Sequence, residues 1–189
     1  MSTQTVAGRM DDGRGRTALL VVIAAESVFF GTLILSYLYL RVGQPNWPFS
    51  HPSLDQLLIP GLNTLILAIS GLAVWESERA VRAGRERRLE WGLAVTIALG
   101  VVFIGGQILE FAHAGMHPSD QSFGGVFFAL MGFHALHLLA GMVVLVIGLV
   151  RARLGDFTPS RHEGVTLGAW FWYFVVAVWL ALFTALFLI

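Results

Sequence analysis

Five apolar runs, near residues 17–41, 57–77, 89–113, 122–150 and 165–188, are each long enough to cross a bilayer as a helix, which takes about 20 residues at roughly 1.5 Å of rise each. In hydrocarbon every backbone amide and carbonyl must find a partner within the protein, so such runs fold as helices or as closed barrels. A membrane barrel needs alternating segments of about 10 residues, and these runs are continuous. The chain is therefore predicted to be all-α, an integral membrane bundle of five transmembrane helices over 17–189, preceded by a polar tail at 1–16. A mean hydropathy of +0.73 and a charged fraction of 13% agree, because a soluble surface usually carries about a quarter charged residues. The segments between the runs are too short for a second domain.

Turn formers punctuate the runs: Gly43, Pro45, Asn46, Pro48 and Pro52 first, then Gly84, then Gly115 and Pro118, then Gly155 and Pro159. Pro60 is placed near the first turn of the second helix, where a missing amide hydrogen is tolerated, so that all six prolines avoid helix interiors. The 12 basic residues are all arginine, and they segregate. Arg9, Arg14 and Arg16 precede the first span; Arg79, Arg82, Arg85, Arg87 and Arg88 lie between the second and third; Arg151, Arg153 and Arg161 lie between the fourth and fifth; the other side receives only Arg41. By the positive-inside rule the amino terminus is inside and the carboxyl terminus outside. The tail lacks the apolar core and small-residue cleavage site of a signal peptide and is read as cytoplasmic. Trp75, Trp91, Trp170 and Trp172 are placed near the inner interface and Trp47 in the first outer loop, where amphipathic rings prefer to sit.

Against this apolar background the polar residues inside the spans stand out. Glu26 lies about nine residues from the inner end of the first span, roughly 13 Å deep at helical rise. A carboxyl at that depth is costly unless it is protonated, paired or facing a protein-lined cavity, which marks it for lipid or proton handling. Ser27 and Gly31 form a small-residue pair able to admit a neighbouring helix. Gln107, Glu110 and His113 recur every three residues along one face of the third helix, and His134 and His137 sit three apart on the fourth. Residues three apart on one helix reach the same side of a haem, and the other histidines, His51, His113, His117 and His162, lie in loops or at helix ends, so neither a bis-histidine haem nor a zinc site assembles. Histidines hydrogen-bonded to acids on neighbouring helices are the favoured reading.

Other chemistries are absent from the sequence. Cysteine is missing, which removes disulfides and thiolate sites; lysine is missing too, and with it the phosphate-binding loop, and there is no serine nucleophile elbow. The arginines between the second and third spans alternate with Glu76, Glu78, Glu86 and Glu90. That alternation disfavours nucleic acid and suits topology and anionic headgroups, with Arg79 and Arg82 facing the headgroups.

The ordered series Ala25-Glu26-Ser27-Val28-Phe29-Phe30, Leu62-Asn63-Thr64, Gly100-Val101-Val102-Phe103 with Gln107 and Glu110, Phe123-Gly124, Gly132-Phe133-His134-Ala135-Leu136-His137, Trp172-Tyr173-Phe174 and Val178-Trp179 resembles subunit III of the haem-copper respiratory oxidases. The resemblance runs from about Arg16 to the end and fits the shorter five-helix bacterial form. It implies a subunit without redox centres in the bacterial cell membrane, bound beside the catalytic subunit I and with subunit II, whose haem and copper carry out oxygen reduction and proton translocation. It also implies a phospholipid-holding cleft between the first two helices and the other three. Glu26 would border that cleft, His134 and His137 would join its network, and the subunit would support proton uptake and protect the oxidase during turnover. Asn63, Gln107 and Glu110 are assigned to polar contacts between helices. No catalytic residue and no metal ligand is assigned.

Where the family usually has histidine and aspartate in its last helix this chain has Tyr173 and Val176, and Met131 and Ala135 replace a threonine and a glycine beside the histidines. These changes remove polar partners for any network tying the fifth helix to the cleft. The parent complex is read as a cytochrome c oxidase, with a quinol oxidase or a nitric-oxide-reductase-associated relative as the alternative. From a different class, a small proton-coupled transporter would use Glu26 and Glu110 as a path; broken helices or inverted repeats would mark it, and neither occurs in the sequence.

Overall fold

A computed structural model describes the backbone of residues 3–43, 54–113 and 121–189, and the side chains over 13–43, 57–110 and 124–189. Five α-helices follow one another: α1 (Thr3–Val42), α2 (Leu54–Arg82), α3 (Glu86–His113), α4 (Gln121–Arg153) and α5 (Glu163–Phe183), with α5 closing in a π-helical turn, Thr184–Leu188. Each contains a segment long and apolar enough to cross a bilayer: Gly13–Val42, Leu57–Arg82, Glu86–Glu110, Gly124–Arg153 and Glu163–Leu188. The five-span, all-helical architecture read from the sequence is the architecture of the described residues.

Two helix starts differ from that reading. Backbone helix begins at Thr3, so α1 runs through most of the segment read as a tail, because propagation from an established span adds one hydrogen bond per residue fixed. Similarly α2 begins at Leu54, which places Pro60 inside the helix rather than in its first turn. The proline's own missing donor costs one backbone bond there.

The helices are held by close approaches at glycine. The α2–α3 pair turns tightly at Gly84, whose φ of +66° is open to glycine without strain. Further along, a Cβ on Gly92 would lie 2.1 Å from Ser77 Oγ, and one on Gly106 would lie 2.2 Å from Asn63 Oδ1. Small residues at these crossings let the two backbones meet, and in lipid such packing rather than hydrophobic burial drives helix association.

Half of the apolar stretch of α5 is buried (50%) against 6% for α1, so α5 is the central helix and α1 a flank. Trp172 sits at the centre of the core, fully buried. Its Nε1–H donates to Ser70 Oγ of α2 at 3.0 Å, and its ring is close enough to α3 and α4 that a Cβ on Gly100 or Gly141 would meet it at 3.1 and 3.0 Å. Two turns on, Trp179 donates to Thr64 Oγ1 of α2 at 3.0 Å and packs on Phe103 of α3 and His134 of α4, with ring centroids 4.7 and 5.3 Å away. Two indoles on one face of α5 thus each touch α2, α3 and α4. The placement of Trp172 at the membrane interface is corrected: small residues on three neighbours make an interior socket for it. Trp75 and Trp91 are exposed, as interfacial rings would be.

α1 packs on α4 and α5, while α2 packs on α3 and α5. The division into two helices against three that the resemblance implied is therefore not how this bundle is partitioned: α2 sides with α3 and α5. The hydroxyls of Thr17, Ser27, Thr32 and Ser36 each donate to the carbonyl four residues earlier in α1, at 2.7–3.0 Å, which satisfies them on a largely exposed helix. At the arginine-rich end Arg16 Nε meets Glu163 Oε1 at 2.9 Å, tying α1 to the start of α5.

Candidate functional site

α1 and α4 meet along a seam of aromatic pairs. Phe29 meets Phe133 edge-on with ring centroids 4.9 Å apart, and Phe30 meets the His137 imidazole the same way at 5.0 Å. One helical turn before Phe30, Glu26 reaches the same histidine, with His137 Nε2 3.1 Å from Glu26 Oε2. The other ring nitrogen, Nδ1, lies 2.7 Å from the carbonyl of Phe133, four residues earlier in α4.

The contact at Nδ1 bears on the tautomer. A carbonyl only accepts, so Nδ1 carries hydrogen, and a neutral ring then presents a lone pair at Nε2. The approach of Nε2 to Glu26 Oε2 is a close polar contact, and one proton, held either by the carboxyl or by the imidazole, makes it favourable. In both states the pair is neutral overall, which is the form a membrane interior tolerates. Glu26 keeps about a third of its side chain exposed (33%) and His137 less (18%), so the pair sits at the rim of the bundle, able to meet lipid.

Beside it an open groove of about 260 Å³ runs between α1 and α5, lined by Ser27, Phe30, Gly31 and Ile34 on one side and Phe174 and Ala177 on the other. A Cβ on Gly31 would meet nothing within 4 Å. The Ser27 and Gly31 pair, read as a close helix contact, instead leaves space.

His134 points elsewhere. It is fully buried between Phe103 and Trp179, and neither ring nitrogen has a hydrogen-bond partner among the described residues. The structure joins His137 to Glu26 and separates both from His134. On α3, Gln107 is buried and its Nε2 donates to Met131 Sδ of α4 at 3.8 Å, so the methionine that stands in place of the family's threonine still accepts a hydrogen bond. Asn63 of α2 is buried against Gly106 of α3. Glu110 is buried, and its Oε2 has no partner among the described residues. The His113 side chain, His51, His117 and Trp47 lie outside the described residues.

At the arginine-rich end the Arg79 guanidinium lies 4.7 Å above the Trp75 ring, and Arg82 pairs with Glu78. Glu78 also accepts from Tyr173 O–H of α5 at 3.4 Å. Tyr173 therefore supplies a polar tie between α5 and α2, which corrects the expectation that its replacement of histidine removes one. Glu78, four residues before Arg82, had a sequence signal in that spacing and order; Ser70 and Thr64, the acceptors for the two indoles, had none. Among the described residues no three histidine, aspartate or glutamate side chains gather closely enough to share a metal ion.

The family described as cytochrome c oxidase subunit III matches residues 11–189 of this chain. Among similar proteins, cytochrome c oxidase subunit 3 of Arabidopsis thaliana is 35% identical over 178 residues, covering 91% of this chain and 67% of that protein. The proteins of the same name from Thermostichus vulcanus and Synechocystis sp. are 33% and 32% identical over 173 and 172 residues, covering 90% of this chain in each case and 85% and 74% of their own lengths.

Proposed function

The chain belongs to the cytochrome c oxidase subunit III family, and on that premise we propose that it is the non-redox flank of a bacterial respiratory oxidase, seated in the cell membrane beside subunit I and with subunit II. A member of an oxidase complex in a multi-pass membrane arrangement follows from the family and the five spans; the particular partners, the membrane and the roles of the residues are our reading. The names of the relatives favour cytochrome c as electron donor. The haem and copper of the parent complex would reside in the partner subunits, where four-electron oxygen reduction and proton translocation take place. The segregation of arginine supports an orientation with the amino terminus inside.

The observation that carries the residue-level reading is the Glu26–His137 contact between α1 and α4, next along α1 to Ser27, which lines the α1–α5 groove. A neutral pair holding one mobile proton gives an apolar groove a polar edge without placing a net charge in lipid. We assign the pair to retaining lipid there and, through its exchangeable proton, to supporting proton uptake by subunit I. Gln107 and Asn63 join helices in the outer half of the bundle, and Arg79 and Arg82 stand at the headgroup level.

Affinity purification of the tagged chain in a mild detergent tests the assignment. A haem-containing partner should accompany it, while the polypeptide stripped from that complex should show no haem absorbance. Recovery of a stable, colourless homo-oligomer would point to a transporter instead.

A further inference from the structure

We propose that the α2–α3 surface at the arginine-rich end binds one anionic phospholipid, at a site separate from the Glu26 groove and on helices that groove does not use. An open depression of about 550 Å³ lies there, lined by Ala73 and Glu76 of α2 and by Arg87, Arg88, Trp91 and Val95 of α3. Its origin is the close crossing at Gly92, where the backbones meet against Ser77 and small residues leave a hollow beneath the arginines.

The lining changes character along its length. Arg87 and Arg88 occupy the first turn of α3, and Val95 is seven residues deeper than Arg88, about 10 Å along the helix axis. Cations at a helix amino terminus face the positive end of its dipole, so an anion bound there relieves two unfavourable interactions at once. Glu76 offsets Arg88 only at a distance, 3.9 Å between Oε1 and Nη1, and Arg87 takes part in no ion pair among the described residues. The groove thus carries two positive charges and one negative. A single phosphodiester with no compensating cation of its own brings it to neutrality, which selects an anionic lipid over a zwitterionic one. Trp91, exposed at 67%, lies beside the glycerol level, and Ala73 and Val95 offer an apolar bed for the start of an acyl chain.

The site can be tested on the native complex after delipidation, titrated with phosphatidylglycerol, phosphatidylcholine or inorganic phosphate and read by native mass spectrometry. Both arginines are exposed and outside the core, so a double Arg87→Gln, Arg88→Gln variant should fold. It should bind one phosphatidylglycerol at least about tenfold more weakly, with phosphatidylcholine retention unchanged, whereas the double lysine variant should hold wild-type affinity within about threefold. Superimposable phosphatidylglycerol titrations of wild type and the glutamine pair would overturn the proposal. So would displacement of the lipid by equimolar inorganic phosphate, which would make this a free-anion site. In a Glu26→Gln background the arginine pair should still cause the same loss of phosphatidylglycerol affinity, so failure here is separable from failure of the Glu26 assignment.

Discussion

Trp172→Ala is expected to lower the stability of the bundle by about 3 kcal/mol or more, the lower part of the range for large aromatic deletions in cores. In a bilayer the separated helices remain in an apolar medium, so the transfer free energy that dominates in soluble proteins largely drops out. What remains is packing: the fully buried indole fills a socket between Gly100 and Gly141, and its loss strips contacts from three helices together. Trp172→Phe keeps most of that volume and sacrifices the donor to Ser70, whose own hydroxyl still donates to the Leu67 carbonyl at 2.6 Å. It should cost about 1 kcal/mol. Trp75→Ala, which loses a stacked arginine at an exposed position, should cost less than about 1 kcal/mol. Denaturation in mixed micelles of graded denaturing detergent would rank the three. Equal midpoints for Trp172→Ala and Trp75→Ala would remove Trp172 from the centre of the fold.

His137→Leu is expected to destabilise the chain by roughly 2 kcal/mol, because it leaves the Glu26 carboxyl at membrane depth with no hydrogen-bond partner. Glu26→Gln behaves differently. The glutamine amide can donate to the lone pair at Nε2 while Nδ1 still donates to the Phe133 carbonyl. The polar contact survives, the exchangeable proton does not, and stability should change by less than about 1 kcal/mol. The double variant Glu26→Leu, His137→Leu removes both partners and should recover about 1 kcal/mol or more of the loss seen with His137→Leu alone. Additive effects across that cycle would mean that the two side chains do not interact.

The spans were legible because continuous apolar runs of such length have few solutions in a membrane, and the helix count followed from them. Packing was less legible, since apolar residues surround each helix and composition does not tell a core face from a lipid face. Phase carries more. Met131, His134, Leu138, Gly141 and Leu145 recur at alternating steps of three and four and are all buried, which puts His134 in the core stripe of α4 and His137 one step outside it, toward α1. That periodicity separates the two histidines, while grouping them by their nearness in sequence does not. Trp172 was read as interfacial because tryptophan prefers that zone, and the socket that overrides the preference is built by Ser70, Gly100 and Gly141 on three other helices. Likewise the acid in the first span announced a site by its depth, but its partner on α4 and the space left by Gly31 are properties of helix approach. Tyr173 looked like a lost polar contact in one helix and is a gained one across two.

The central claim is that the proton shared by Glu26 and His137 governs lipid retention beside the groove in a subunit that carries no redox centre. Because glutamine preserves a polar partner for His137 and deletes the proton, turnover of the purified Glu26→Gln complex, followed together with its phospholipid phosphorus per haem, tests it most directly. Assembly should match wild type, while bound phospholipid falls and activity during sustained turnover decays several-fold faster. Decay and phosphorus content indistinguishable from wild type would contradict the claim and leave Glu26 as a structural partner for His137.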